Sequence, residues 1–187
     1  TIPNWVGENT LVVACSYSGN TEETLSAVKA SQEKGAKITC VTSGGELLKL
    51  ASAEGWSTVT ITGGFPPRSQ FPQSFLGLLW TLKQFGVFPE QMFLDLTKTS
   101  ESLSKGYDAT VERATALAGI VNRKNIFLYS NVSFSSVATR WRQQLNENSK
   151  LLVNSQVFPE LNHNELVGWA SGCDQDVVII FRTPEDH

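Results

Sequence analysis

The chain has 187 residues, 41% of them hydrophobic, with 18 acidic against 15 basic side chains and a formal charge of −3. That apolar content suffices for a packed core and excludes an intrinsically disordered chain, and the lack of a basic block argues against a nucleic-acid binder. No apolar run approaches the ~20 residues that a membrane-spanning helix needs.

Thr10 to Cys15 is a short β-branched run of the kind that fills a parallel sheet. It leads into Ser16-Tyr17-Ser18-Gly19-Asn20-Thr21 and then a helical stretch from Glu22 to Lys34. Asn20 with Glu23 three residues on fits a capping box, and Gly35 fits a C-terminal stop. A strand at Lys37 to Thr42, a helix at Glu46 to Glu54 and a strand at Thr58 to Thr62 complete a βαβαβ unit, which requires a parallel sheet. Gly63-Gly64-Phe65-Pro66-Pro67 breaks the pattern, and Ser69 to Phe85 resumes as an apolar helix. Ser100 to Asn122 reads as a longer polar helix, interrupted or started near Gly106. Beyond it come a strand at Asn125 to Tyr129, a helix at Ser133 to Asn146, and strands at Lys150 to Val153 and Asp176 to Phe181. The pattern predicts two α/β units, residues 1–94 and 123–187, joined by a connecting helix over 95–122.

Three cysteines, Cys15, Cys40 and Cys173, form neither a CxxC pair nor an even set. Cys15 and Cys40 sit in apolar runs, where a cysteine is expected to be a small buried hydrophobe. With only His163 and His187 beside them, no zinc site is expected, and the chain reads as a reduced, cytoplasmic protein. His187 receives no role. Trp80, Trp141 and Trp169 read as core or interface residues.

Three clusters could carry chemistry. Ser16, Ser18 and Thr21 lie between a strand and a helix, where three hydroxyls and the helix-start N–H groups converge. Such a point suits a monoester phosphate, though a plain polar turn with an N-cap gives the same pattern. It is neither a Walker loop nor a dinucleotide fingerprint. In Pro66-Pro67-Arg68, two fixed φ angles present a guanidinium on a stiff stalk, able to stabilise charge on a substrate oxygen. A surface Arg at a helix start is the plainer alternative. In Asn146-Glu147-Asn148, Glu147 falls in the last turn of its helix, where a carboxylate opposes the dipole. Broken local rules concentrate at functional sites, yet exposed Glu at helix ends is also common.

Taken together, SYSGNTEETL, PPRS, the NEN-x-K of Asn146 to Lys150 and PELNHNELVGW resemble the bifunctional phosphoglucose/phosphomannose isomerase family of the sugar isomerase (SIS) superfamily. The resemblance runs in order from about Val12 to Phe181. It implies two SIS subdomains of Rossmann- or flavodoxin-like three-layer αβα type, and aldose–ketose isomerisation of glucose 6-phosphate and fructose 6-phosphate through a cis-enediol. Mannose 6-phosphate stays open as a further substrate. By the same resemblance Ser16, Ser18 and Thr21 would grip the sugar phosphate and Arg68 would stabilise the enediolate. Glu147 would move the proton between C2 and C1. His163 would assist ring opening from the neighbouring subunit of a homodimer with shared sites. No cofactor or metal is implied, and no nucleic-acid or membrane partner. The family's glycine- and serine-rich loop ahead of the first motif, and its C-terminal lysine-bearing helix, are not found in this sequence, so a fragment of a longer protein is expected. The rival reading is a non-catalytic SIS module that binds sugar phosphates and regulates.

Overall fold

The computed structural model describes residues 1–184; His187 lies outside the described residues. The chain divides into two compact units between Glu101 and Ser102. Among the described residues no helix is long and apolar enough to cross a membrane.

In the first unit, β1 (Leu11–Ser16), β2 (Lys37–Thr42) and β3 (Ser57–Thr60) form a parallel sheet in the order β1-β2-β3. The crossovers are α1 (Glu22–Glu33) and α2 (Gly45–Glu54). Strand β2 is buried from Ile38 to Thr42, because both of its faces are covered. Ile38 and Cys40 point to the side where Ala14, Val28, Leu47 and Ala51 pack. Val41, of opposite parity, meets α3 (Phe71–Gln84), whose Gly77 approaches so closely that a Cβ would lie 2.8 Å from a Val41 methyl. A lysine then closes the α3 end. Lys83 Nζ pairs with Glu90 at 2.6 Å and lies 4.7 Å from the Phe93 ring, at the start of α4 (Glu90–Lys105).

In the second unit, β4 (Asn125–Ser130), β5 (Val153–Val157) and β6 (Asp176–Phe181) form a parallel sheet in the order β5-β4-β6. Against one face lie α5 (Tyr107–Val121) and α6 (Ser135–Ser149), burying Val121, Ile126, Leu128, Ala138 and Val153. The other face carries Phe127 and Tyr129, covered by short turns at Glu160–His163 and Trp169–Ser171 with the single-turn α7 (Glu165–Gly168) between them. The first unit is therefore a full three-layer sandwich, and the second has a thinner outer layer.

Several local expectations change. Asn20 does not cap α1, whose N-cap is Thr21 with no side-chain cap bond. Its Oδ1 instead accepts the Glu46 N–H at 3.0 Å, serving the start of α2 across the neighbouring loop. The last part of α6 runs on to Ser149, so the strand expected at Lys150 begins only at Val153. Asn154, Ser155 and Gln156 carry no apolar alternation, and backbone pairing with β4 makes them a strand. Helix α4 begins at Glu90, ahead of the connecting helix expected over 95–122, and it is separated from α5 at Gly106; Thr97 and Thr99 return their hydroxyls to carbonyls four residues back and leave the helix intact. Cys40 is buried as expected, but Cys15 is exposed, because period-two alternation turns Ala14 and Ser16 toward the core and Cys15 away from it.

Removing the Asn20 side chain tests this capping. Asn20→Ala should cost ~0.5–2 kcal/mol in denaturant unfolding. Amide exchange should quicken at Glu46 and stay unchanged in the first turn of α1.

Candidate functional site

The carboxyl ends of the three strands in the first unit meet through their loops, the usual place for ligands on an open α/β sheet. Ser16 ends β1 and is buried, with 7% of its surface exposed. Its Oγ lies 2.8 Å from Thr21 Oγ1 and accepts the Gly19 N–H at 3.2 Å. Ser18 Oγ accepts the Asn20 N–H at 3.2 Å. Backbone donors thus orient both serine oxygens. Each hydroxyl still carries its own proton, so Ser18, which is exposed, and one partner of the Ser16–Thr21 pair can donate to an anion. The N–H groups of the first turn of α1 add partial positive charge at the same end. Glu22 and Glu23 also stand in that turn, both exposed, and they complement the dipole rather than the anion.

Gly19 makes this geometry possible. Its φ is +67°, and a Cβ there would lie 1.8 Å from the Gly44 carbonyl oxygen. The loop after β2 therefore locks onto the loop after β1. Leu47 N–H donates to Gly19 O at 2.9 Å, and Ser43 donates to Tyr17 O through both its N–H (3.0 Å) and its hydroxyl (2.6 Å). The Tyr17 hydroxyl in turn accepts the Phe65 N–H at 3.0 Å, tying in the segment that leads to Arg68. Pro66 is extended, as its sequence implies, but Pro67 opens a single 3₁₀ turn over Pro67–Ser69 rather than continuing a stalk. Arg68 sits half-buried within that turn. The structure thus gathers Ser16, Ser18 and Thr21 at one point and ties in Arg68's segment.

Glu147 and His163 belong to the second unit, on different elements. Glu147 is exposed in the last turn of α6. Its neighbours in the motif build its platform. Asn146 Oδ1 accepts the Val153 N–H at 3.2 Å, and Lys150 takes the left-handed C-cap conformation (φ 57°) with its ammonium on the Glu147 carbonyl. His163 is exposed at the end of its 3₁₀ turn.

Sequence reasoning missed Tyr129. Only 4% of it is exposed, at the carboxyl end of β4. Its hydroxyl donates to Glu165 and accepts the Trp169 indole N–H at 2.9 Å. Burial pushes its pKa up to about 12, and the Glu165 carboxylate adds to the rise. A tyrosine closing an apolar run just before a polar turn was the one available signal.

The comparisons with known proteins agree with the family resemblance of the sequence. Residues 110–187 match the bacterial phospho-glucose isomerase C-terminal SIS domain. The whole chain aligns at 37% identity over 198 residues with the bifunctional phosphoglucose/phosphomannose isomerase of Caldicellulosiruptor bescii, covering 58% of that protein. The D-glucosamine-6-phosphate 4-epimerase of Sulfolobus acidocaldarius is 34% identical over 167 residues, which cover 89% of this chain and 53% of that one. The chain thus spans little more than half the length of these relatives. The crystal structure of glucosamine-6-phosphate deaminase from Thermotoga maritima superposes with a TM-score of 0.69 at 17% identity, over 98% of this chain and 56% of that one, a likeness of fold.

The Tyr129 cluster makes a spectroscopic prediction. Alkaline titration of tyrosine absorbance should show a component near pH 12 that Tyr129→Phe removes. A pKa raised in the folded state contributes stability below the ordinary tyrosine value near 10 and loses it as pH rises through the folded value. Unfolding free energy should therefore fall between about pH 10 and 12, and this part of the fall should vanish in Tyr129→Phe.

Proposed function

Because residues 110–187 match the bacterial phospho-glucose isomerase C-terminal SIS domain, and the whole chain is similar to the bifunctional phosphoglucose/phosphomannose isomerases, we propose that the protein interconverts sugar 6-phosphates by aldose–ketose isomerisation. The substrates are glucose 6-phosphate and fructose 6-phosphate, with mannose 6-phosphate as a second aldose. The observation that carries the reading is the gathering of Ser16, Ser18 and Thr21 at a helix start, with backbone donors fixing both serine oxygens. Three uncharged donors with a dipole end suit a phosphate monoester that must be released after each turnover.

In this reading Ser16, Ser18 and Thr21 hold the phosphate. His163 donates a proton to the ring oxygen as the pyranose opens. Glu147 then takes the proton from C2 and returns it to C1, and Arg68 stabilises the negative charge on the enediolate oxygens. A base that serves C2 in either configuration accounts for both aldoses. The protein acts as a cytoplasmic homodimer in which His163 reaches the partner's site. A non-catalytic sensor would need the phosphate grip alone. Elaborate support for Glu147 from Asn146 and Lys150 favours an enzyme.

Glu147→Gln keeps shape and hydrogen bonding but removes the base. In the full-length protein turnover should fall ~10²–10⁴-fold with little change in substrate affinity. Retained turnover would transfer the role to Glu160 or Glu165. If glucosamine 6-phosphate is epimerised at C4 while glucose 6-phosphate is left untouched, the chemistry is that named for the Sulfolobus relative.

A further inference from the structure

The segment His163-Asn164-Glu165-Leu166-Val167-Gly168-Trp169 carries one residue with a proposed chemical role and several without one. It runs from the end of a four-residue 3₁₀ turn (Glu160–His163) through the four-residue α7 to the start of a three-residue 3₁₀ turn (Trp169–Ser171). Pieces this short do not hold a shape by themselves. Something outside the segment must fix it.

The fixings are visible on either side of His163. Before it, Leu161 is buried at 2% exposure. After it, Asn164 accepts the Glu165 N–H at 2.6 Å and donates its side-chain amide to Glu160 at 3.1 Å, bracketing the histidine. Glu165 and Trp169 then converge on one atom, the Tyr129 hydroxyl, which donates to the first and accepts from the second. The Trp169 ring also packs edge-on against Phe127, with centroids 4.8 Å apart, and Phe158 stands edge-on to Tyr129 at 6.0 Å. Tyr129 itself belongs to the central strand of its sheet, paired to a neighbour on each side.

We infer that Tyr129 is a positioning residue, whose hydroxyl clamps Glu165 and Trp169 to the sheet so that the segment presents His163 in one fixed orientation. The Glu and Trp of the motif are then the two jaws of an anchor. The inference rests on the catalytic reading of His163, and its geometry can be tested apart from that reading.

The first arm is structural. In full-length Tyr129→Phe, which keeps the ring and deletes only the hydroxyl, amide exchange should rise over residues 162–169 and stay unchanged in β4 and β6. Unchanged protection over 162–169 overturns the clamp whatever His163 does. The second arm is a kinetic cycle. Tyr129→Phe should lower kcat with glucose 6-phosphate by ~10–100-fold, the loss expected when a reacting group is misplaced. Affinity for an open-chain phosphorylated sugar acid, which requires no ring opening, should stay unchanged. Combined with His163→Ala, Tyr129→Phe should add no further loss, since it acts through the histidine. Glu165→Gln, which keeps an oxygen for the Tyr129 hydroxyl, should retain more activity than Glu165→Ala. Additive losses overturn the positioning role and leave the reading of His163 standing. Full activity of His163→Ala alone overturns that reading, and the positioning role falls with it.

Discussion

The first unit depends on one close approach between two backbones. Gly19 adopts φ +67° and lies so near the Gly44 carbonyl that no side chain fits between them. That contact lets the loop after β1 and the loop after β2 share hydrogen bonds instead of diverging over solvent. Asn20 can then serve α2, Ser43 can hold Tyr17, and Tyr17 can hold the segment before Arg68. The hydroxyl cluster stays on a rigid frame because three strand ends brace one another. Any residue but glycine at position 19 would face both an unfavourable backbone region and a collision with main-chain atoms that cannot rotate away.

The second unit solves the same problem differently. Its chemistry-bearing candidates stand on short or terminal pieces of helix, which are held by side chains. Asn146 stitches the end of α6 to the start of β5, and Lys150 turns the chain out of the helix in a left-handed cap. Tyr129 does for the segment around His163 what Asn146 does for Glu147. In this unit each exposed candidate side chain sits beside an asparagine that binds backbone or a neighbouring side chain, Asn146 next to Glu147 and Asn164 next to His163. Such pairing is the kind of preorganisation that the proposed isomerisation would require.

Most of the architecture was legible in the sequence because its strands read as short β-branched or apolar runs that alternate with helical stretches, as in Lys37 to Thr42 and Asp176 to Phe181. What escaped was set by tertiary context. Asn20 looks like a cap for the helix it precedes, and only the fold brings the amide of Glu46 closer. Asn154-Ser155-Gln156 has no pattern of its own and becomes a strand by pairing with β4. Phosphate-grip, guanidinium and carboxylate candidates could be named from motif and spacing. Tyr129 could not, since its partners lie 36 and 40 residues further along the chain.

Recognition of a sugar phosphate by the Ser16–Thr21 turn can be read by calorimetry. Full-length wild type and the Ser16→Ala/Ser18→Ala variant would each be titrated with glucose 6-phosphate and with glucose. Hydrogen bonds to a charged group contribute ~1.5–3 kcal/mol each, so the variant should bind glucose 6-phosphate at least ~10-fold more weakly while remaining folded. Glucose should bind far more weakly than its phosphate to the wild type. Equal affinity of both proteins for glucose 6-phosphate would mean that the phosphate is held somewhere other than this turn.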